Sequence, residues 1–323
     1  MTLKKLLNCV IVLTCLYAGA VFAAHPGQEE FIRQAVQEHG LDASKVAAFL
    51  DNAEYKQSII DAMTRPAEAK PWHDYRPIFL TQKRIRQGVE FWRDHKDTIA
   101  AAASRYGVEE EIIVAIIGVE TSYGRITGSY RVIDALATLG FYYPKRAEFF
   151  SAELLHFFQL AEEENLPMLE VLGSYAGAMG LGQFIPSSYR AYAVDFDGDG
   201  SRDLWSSTED AIGSVANYFH QHKWRPGEQI VLPAVRHKDA KTLPEMGRKP
   251  ESTTGELASA GYLTESAPQP DTPVSLLELE QEDGMEYWLT LHNFYVITRY
   301  NRSPLYAMAV YQLSREITGE MMR

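Results

Sequence analysis

The chain has 323 residues, 46% hydrophobic and 23% charged, an ordinary globular composition that excludes disorder and collagen-like repeats and suffices for one large or two to three small domains. With 31 Lys and Arg against 43 Asp and Glu, its net charge of −12 lacks the basic footprint that phosphate-backbone binding requires, and nucleic acid is not an expected partner.

Lys4 and Lys5 precede a mostly apolar run over 6–24 that closes in Val21-Phe22-Ala23, the pattern of a cleavable secretory signal over 1–23. A retained anchor is the rival reading. Asn8 and Thr14 interrupt the run, however, and polar His25-Pro26-Gly27-Gln28-Glu29-Glu30 follows at once. Both cysteines, Cys9 and Cys15, fall inside this segment, so the exported chain has no disulfide. Neither follows the small residue of a lipoprotein processing site, and no lipid anchor is expected.

Over 28–63, Phe31, Ala35, Val36, Leu41, Val46, Phe49 and Leu50 recur at helical spacing and predict two or three short helices. Residues 66–75, with Pro66, Pro71, Trp72 and Tyr75, read as an extended linker. Helical pattern then resumes near Ile78 and dominates to about His222. After Trp224-Arg225-Pro226-Gly227, strand-like composition at 229–235 and 286–291 predicts a small β-rich insert, with loops and turns over 238–273. A final helix over 304–321 places Tyr306, Ala309, Val310 and Leu313 on one buried stripe.

The first chemical signal is a helix that starts at Glu109-Glu110-Glu111, where acids suit the positive end of the dipole, and runs apolar on every face to Glu120. A carboxylate at a buried helix C-terminus feels the negative dipole end and an apolar wall, which should raise its pKa as a general acid requires. The bland alternative is that Glu120 marks where the helix meets solvent, with Gly124 as its stop.

Two longer blocks decide between them: Gly118-Val119-Glu120-Thr121-Ser122-Tyr123-Gly124-Arg125, and the run over 173–189 that contains Ala176-Gly177-Ala178-Met179-Gly180-Leu181-Gly182-Gln183-Phe184. With 211–219 and 293–303, they resemble the membrane-bound lytic murein transglycosylase B family in the same order across most of the mature chain. The resemblance implies an α+β, mostly α fold, with a lysozyme-like helical core, an α domain and a small β-rich insert. The domains expected are 24–75 as the N-terminal part of the α domain, 76–224 as the catalytic core with an EF-hand-like loop, 225–292 as the β domain, and 293–323 as a helix returning to the α domain.

The family's single acid falls on Glu120 and its polar neighbours on Ser174 and Gln183. The implied reaction cleaves the β-1,4 bond after N-acetylmuramic acid without water, closing a 1,6-anhydro ring. By resemblance, Tyr218, Tyr300, Asn301 and Tyr306 are cleft residues, with Tyr75 a further candidate. The glycines at 173, 177, 180 and 182 are read as packing positions.

Asp195-Phe196-Asp197-Gly198-Asp199-Gly200-Ser201-Arg202-Asp203 carries carboxylates at positions 1, 3, 5 and 9 and glycine at 6, as a calcium loop does, with the Ser201 carbonyl at position 7. Position 12 is Ser206 rather than glutamate. In the resembling family the closing carboxylate lies on the next helix, at Asp210, with Glu209 the adjacent alternative.

The expected protein is therefore an exported peptidoglycan lytic transglycosylase, periplasmic or envelope-located and monomeric. It would carry structural Ca²⁺ and no organic cofactor, and its partners would be glycan strands and other cell-wall enzymes. A muramidase using the same glutamate, and a non-catalytic Ca²⁺-stabilised peptidoglycan-binding protein, are the alternatives.

Overall fold

The computed structural model describes residues 24–65, 69–265 and 268–323; the signal-like segment, both cysteines and Pro66 lie outside them. Three short helices, α1 (Gln28–His39), α2 (Ala43–Leu50) and α3 (Gln57–Met63), open the described chain. Next come α4 (Trp72–Phe79), α5 (Gln82–Asp94), α6 (Lys96–Tyr106) and α7 (Glu110–Thr121). A two-residue strand β1 (Tyr130–Arg131) leads into α8 (Val132–Tyr142) and α9 (Ala147–Glu163), and pairs with β2 (Leu172–Gly173). Helices α10 (Pro186–Tyr192) and α11 (Thr208–Gln221) flank the aspartate loop.

Trp72 to Tyr75, expected at the end of an extended linker, instead form the first turn of α4. Pro71 sits at its N-cap, Asp74 lies in the first turn, and both aromatic side chains are buried. A proline just outside a helix costs no intrahelical hydrogen bond, which is why its presence in the sequence did not break the element.

The insert is a five-stranded antiparallel sheet in the order β4-β6-β7-β3-β5. Its long members are β3 (Val231–Arg236), β6 (Pro273–Gln281) and β7 (Gly284–Thr290). The stretch 238–273 is more than loops: it holds β4 (Ser252–Thr253), α12 (Thr254–Ser259) and β5 (Tyr262–Leu263). A reciprocal capping box between Thr253 and Glu256 starts α12. Strand β6 has no counterpart in the sequence reading. Its half-buried alternation, with Leu279 buried between exposed Glu278 and Glu280, follows directly on a polar segment that hides it.

After α13 (His292–Tyr300), α14 (Pro304–Met321) begins with Pro304 behind an Ser303 N-cap and packs along α7, α5 and α4. Tyr306, Ala309, Val310 and Leu313 are all buried, as the predicted stripe requires. The C-terminal helix thereby lies directly against the helix that carries Glu120.

Candidate active site

Helix α7 is buried on every face from Ile112 to Val119. At its N-terminal end Glu109 accepts a hydrogen bond from the Trp224 indole at 2.6 Å and Glu110 one from Trp92 at 2.8 Å. The other end is abrupt. Ser122, Tyr123 and Gly124 follow one another at φ 49, 61 and 79°, so the helix stops at Ser122, two residues before the glycine expected to end it. Two non-glycine residues in the left-handed region cost about 1–3 kcal/mol each and persist only where neighbours hold them.

Those neighbours can be named. Thr121 Oγ1 donates to the Leu181 carbonyl at 2.9 Å and accepts from the Gly124 N–H at 2.9 Å. Arg84 Nη2 donates to Ser122 Oγ at 2.9 Å, and Arg125 Nη1 donates to the Ser122 carbonyl at 3.2 Å. The Tyr123 ring folds back beneath the turn, into space left by Gly118 and Gly88. A Cβ at either glycine would lie 2.4 Å from the tyrosine hydroxyl. Glu120 is thus held from both sides of the chain, and no local sequence signal marked Arg84 or Arg125 as its support.

The Tyr306 hydroxyl donates to Glu120 Oε1 at 2.5 Å. This bond favours the charged carboxylate and opposes the effect of the helix end. Burial first, and then the Glu120 charge, hold the phenols of Tyr306 and Tyr300 well above the usual tyrosine range, so both stay protonated donors. Tyr300 in turn donates to the Gly182 carbonyl. Tyr75 is buried, with its ring against Trp72 and Phe79.

Tyr300 also lines an open cavity of about 700 Å³, together with Gln183, Tyr218, Asn301 and the guanidinium-bearing Arg146, Arg299 and Arg302. Four of the predicted residues therefore meet in one wall, whereas Glu120, Ser174, Tyr306 and Tyr75 are not among its lining residues. The three arginines went unremarked in the sequence, where nothing local distinguishes them from other surface charge. Tyr218 donates to the Arg299 carbonyl at 2.6 Å. Asn301 Oδ1 accepts from the Ser303 N–H at 3.0 Å, next to the start of α14.

The 173–184 loop forms the floor. Ser174 Oγ accepts from the Ala176 and Ala178 N–H groups at 3.3 and 3.0 Å, which fixes a tight turn. Met179 bridges Gly173 and Phe184. Gln183 stands at φ 50° and its amide donates to the carbonyls of Thr127 and Gly180. Gln183 is also one of the residues that line the cavity.

A second cluster lies at the aspartate loop. One carboxylate oxygen each from Asp195, Asp197 and Asp210 fall within 4.8 Å of one another. Asp210 is fully buried and accepts N–H bonds from Phe196 at 2.6 Å and Asp203 at 2.8 Å. Burial pushes its carboxyl up, the backbone bonds pull it down, and Asp197 adds a further upward push. Three converging hard oxygens, one of them buried, fit a divalent cation. Asp199 is not among these three carboxylates, and its Oδ1 accepts the Ser201 N–H at 2.8 Å. Glu209 is not part of it either.

A buried helix that delivers one carboxylate to a phenol donor, beside an open cavity walled by tyrosines, amides and arginines, defines a glycan-cleaving enzyme of the lysozyme type. A family model described as the transglycosylase SLT domain matches residues 23–315. The chain is 44% identical to the membrane-bound lytic murein transglycosylase B of Escherichia coli over 93% of its own length and 84% of that protein's. Among solved structures it matches a lytic transglycosylase, SltB1, from Pseudomonas aeruginosa at 51% identity and a TM-score of 0.86, covering 92% of this chain and 98% of that one. An Escherichia coli lytic transglycosylase in complex with calcium aligns at 42% identity and TM-score 0.84, over 94% and 96% of the two chains. SltB3 from Pseudomonas aeruginosa in complex with NAG-NAM-pentapeptide aligns at 32% identity and TM-score 0.76, over 90% and 79%. The chain belongs to the SLT-domain transglycosylase family and is a peptidoglycan lytic transglycosylase with a lysozyme-like fold.

Proposed function

We propose that Glu120 is the sole acid and base of a non-hydrolytic cleavage between N-acetylmuramic acid and N-acetylglucosamine. The carrying observation is the Tyr306 hydroxyl 2.5 Å from Glu120 Oε1. Glu120 first gives its proton to the leaving glycosidic oxygen as the anomeric C–O bond breaks. As a carboxylate it then takes the proton of the muramyl C6 hydroxyl while that oxygen bonds to the anomeric carbon, closing the 1,6-anhydro ring. The proton returns to Glu120 and no water is consumed. Tyr306 stabilises the carboxylate between the two steps.

Gln183 Oε1 is suited to receive the acetamido N–H, and Ser174 shapes the loop that presents it. Tyr218, Tyr300, Asn301 and Tyr306 offer ring faces and polar groups to the sugars, with Tyr75 a further candidate. Arg146, Arg299 and Arg302 are suited to carboxylates such as those of a muramyl peptide. Asp195, Asp197 and Asp210 would hold Ca²⁺ as a structural cation that ties the loop to α11, a reading supported by the calcium complex of the related enzyme. The basic and apolar segment over 1–23 supports export to the cell envelope, and among the described residues no helix is long and apolar enough to cross a membrane. The division at 75, 224 and 292 into α, core and β parts belongs to the same reading.

Mass spectrometry of products released from purified sacculi tests it. Muropeptides one water lighter than hydrolytic products, formed by the unaltered protein and not by Glu120→Gln, are the expected result. Reducing-end products would make the protein a muramidase, and binding without products would make it a scaffold.

A further inference from the structure

The residue after Glu120 is a buried threonine whose hydroxyl has one proton and two acceptors in reach. Thr121 Oγ1 lies 3.2 Å from the Ile117 carbonyl of its own helix and 2.9 Å from the Leu181 carbonyl. A bond to the carbonyl four residues back is the ordinary habit of a helical threonine. Here the two acceptors are unequal. The Ile117 carbonyl already receives the Tyr123 N–H at 3.3 Å, whereas the carbonyl of buried Leu181 accepts from no other group among the described residues. A buried carbonyl left without a donor is costly, so the hydroxyl proton goes to Leu181.

That bond joins two parts of the site. Thr121 ends α7 beside Glu120, and Leu181 stands two residues before Gln183 in the 173–184 loop. The same hydroxyl oxygen accepts the Gly124 N–H at 2.9 Å, and the Leu181 side chain lies over that turn, with its Cγ 3.3 Å from where a Cβ on Gly124 would be. The loop is fastened to the core as well: the Leu181 N–H donates to the Leu204 carbonyl at 2.8 Å, and Tyr300 donates to the Gly182 carbonyl. Thr121 therefore ties the end of α7 to a loop that is itself held in place.

We infer that Thr121 is a positioning residue of the reaction, its hydroxyl setting Glu120 in register with the loop that carries Gln183. A proton donor and the loop that holds the sugar beside it need a fixed spacing, and a misplacement of about 1 Å can lower a rate about a hundredfold. Thr121 is buried and its hydroxyl is engaged by two backbone groups, so it acts through the backbone and not on the sugar. The inference rests on the acid and base reading of Glu120 above.

The test compares two pairs at position 121 that differ by the hydroxyl: the unaltered protein with Thr121→Val, and Thr121→Ser with Thr121→Ala. Initial rates of anhydromuropeptide release from solubilised, uncrosslinked peptidoglycan strands give kcat and KM, measured below the melting temperature of every variant. In each pair the protein without the hydroxyl is expected to show kcat lower by about ten- to hundredfold at a KM within about twofold, and Thr121→Ser to stay within about threefold of the unaltered kcat. Where the valine variant does not fold, the serine and alanine pair carries the same comparison. Equal kcat in either pair would overturn the inference. So would a rise in KM at constant kcat, which would give the hydroxyl to sugar binding alone, and a lower melting temperature with kcat intact, which would make the bond structural only. Anhydromuropeptide release by Glu120→Gln is a separate failure: it would remove Glu120 from the chemistry whatever the variants at 121 do.

Discussion

Tyr306 and Glu120, 186 residues apart in sequence, share a 2.5 Å hydrogen bond in which the phenol donates to the carboxylate. A charge-assisted bond of this kind contributes about 1.5–3 kcal/mol. Because it stabilises the carboxylate that must form once the leaving group has taken its proton, Tyr306→Phe is expected to lower kcat about ten- to hundredfold with little change in KM. The initial rate of anhydromuropeptide release, measured beside the thermal midpoint, checks this. A drop in melting temperature without a drop in kcat would assign the bond to folding alone.

Tyr123 sets the turn on which Glu120 stands, and its buried hydroxyl has no partner among the described residues. Tyr123→Phe removes an unsatisfied polar group while keeping the ring, and should stabilise the protein by about 1 kcal/mol. Gly118→Ala should do the opposite. Its Cβ would lie 2.6 Å from the ring carbon that bears the hydroxyl, and overpacking of this kind costs about 1–3 kcal/mol. Urea unfolding of the two variants reads both signs, and an unchanged midpoint in Gly118→Ala would mean that the ring is not wedged there.

How far the sequence displayed this arrangement depends on the range of the interaction. Helix α7 was legible because its apolar run is local and continuous, and α14 because its stripe recurs at helical spacing. Glu120 stood out as the charge that ends such a run. Its contact with Tyr306 follows only once α14 lies on α7, and without the family resemblance Tyr306 reads as another stripe residue. Arg84 was invisible for the same reason, since its partner Ser122 is 38 residues away. Pro71 misled because a proline marks both linkers and helix starts, and what decides between them is whether Trp72 and Tyr75 find a core to enter. Strand β6 was missed where a polar lead-in masked its alternation.

The three carboxylates of Asp195, Asp197 and Asp210 approach within 4.8 Å of one another, and a divalent cation would relieve their mutual repulsion. At a free Ca²⁺ concentration of a hundred times its Kd, a ligand bound only by the folded chain adds about 2.7 kcal/mol. For a protein of this size that corresponds to a rise of about 5 °C in melting temperature. Asp210→Asn is expected to abolish the rise, and Asp199→Asn, altered outside the trio, to retain most of it. Equal loss in both variants would show instead that the whole loop binds, as a complete EF-hand would.

His222 ties acidification to the cavity wall. Its ring stacks on Tyr218 at 4.1 Å, with Tyr192 at 5.0 Å on another side. Nδ1 lies 2.8 Å from the Tyr218 carbonyl and therefore carries the proton of the neutral ring. Burial lowers the pKa of His222, the carbonyl bond works against that, and the Arg299 charge adds to the lowering. The unfolded chain, with an ordinary histidine near 6.5, then binds more protons than the folded one between that value and the lower folded one. Stability is accordingly full above about pH 6.5 and falls as the pH drops through this window, by at most about 1.4 kcal/mol per pH unit for the single group. His25 and His156 are lowered by burial as well, so the wild-type profile sums several groups. His222→Gln, which keeps a donor for the Tyr218 carbonyl but cannot titrate, should remove one share of the slope. Unfolding free energies of both proteins from pH 7.5 to 5 measure it, and parallel profiles would mean that His222 protonates equally in the folded and unfolded chains.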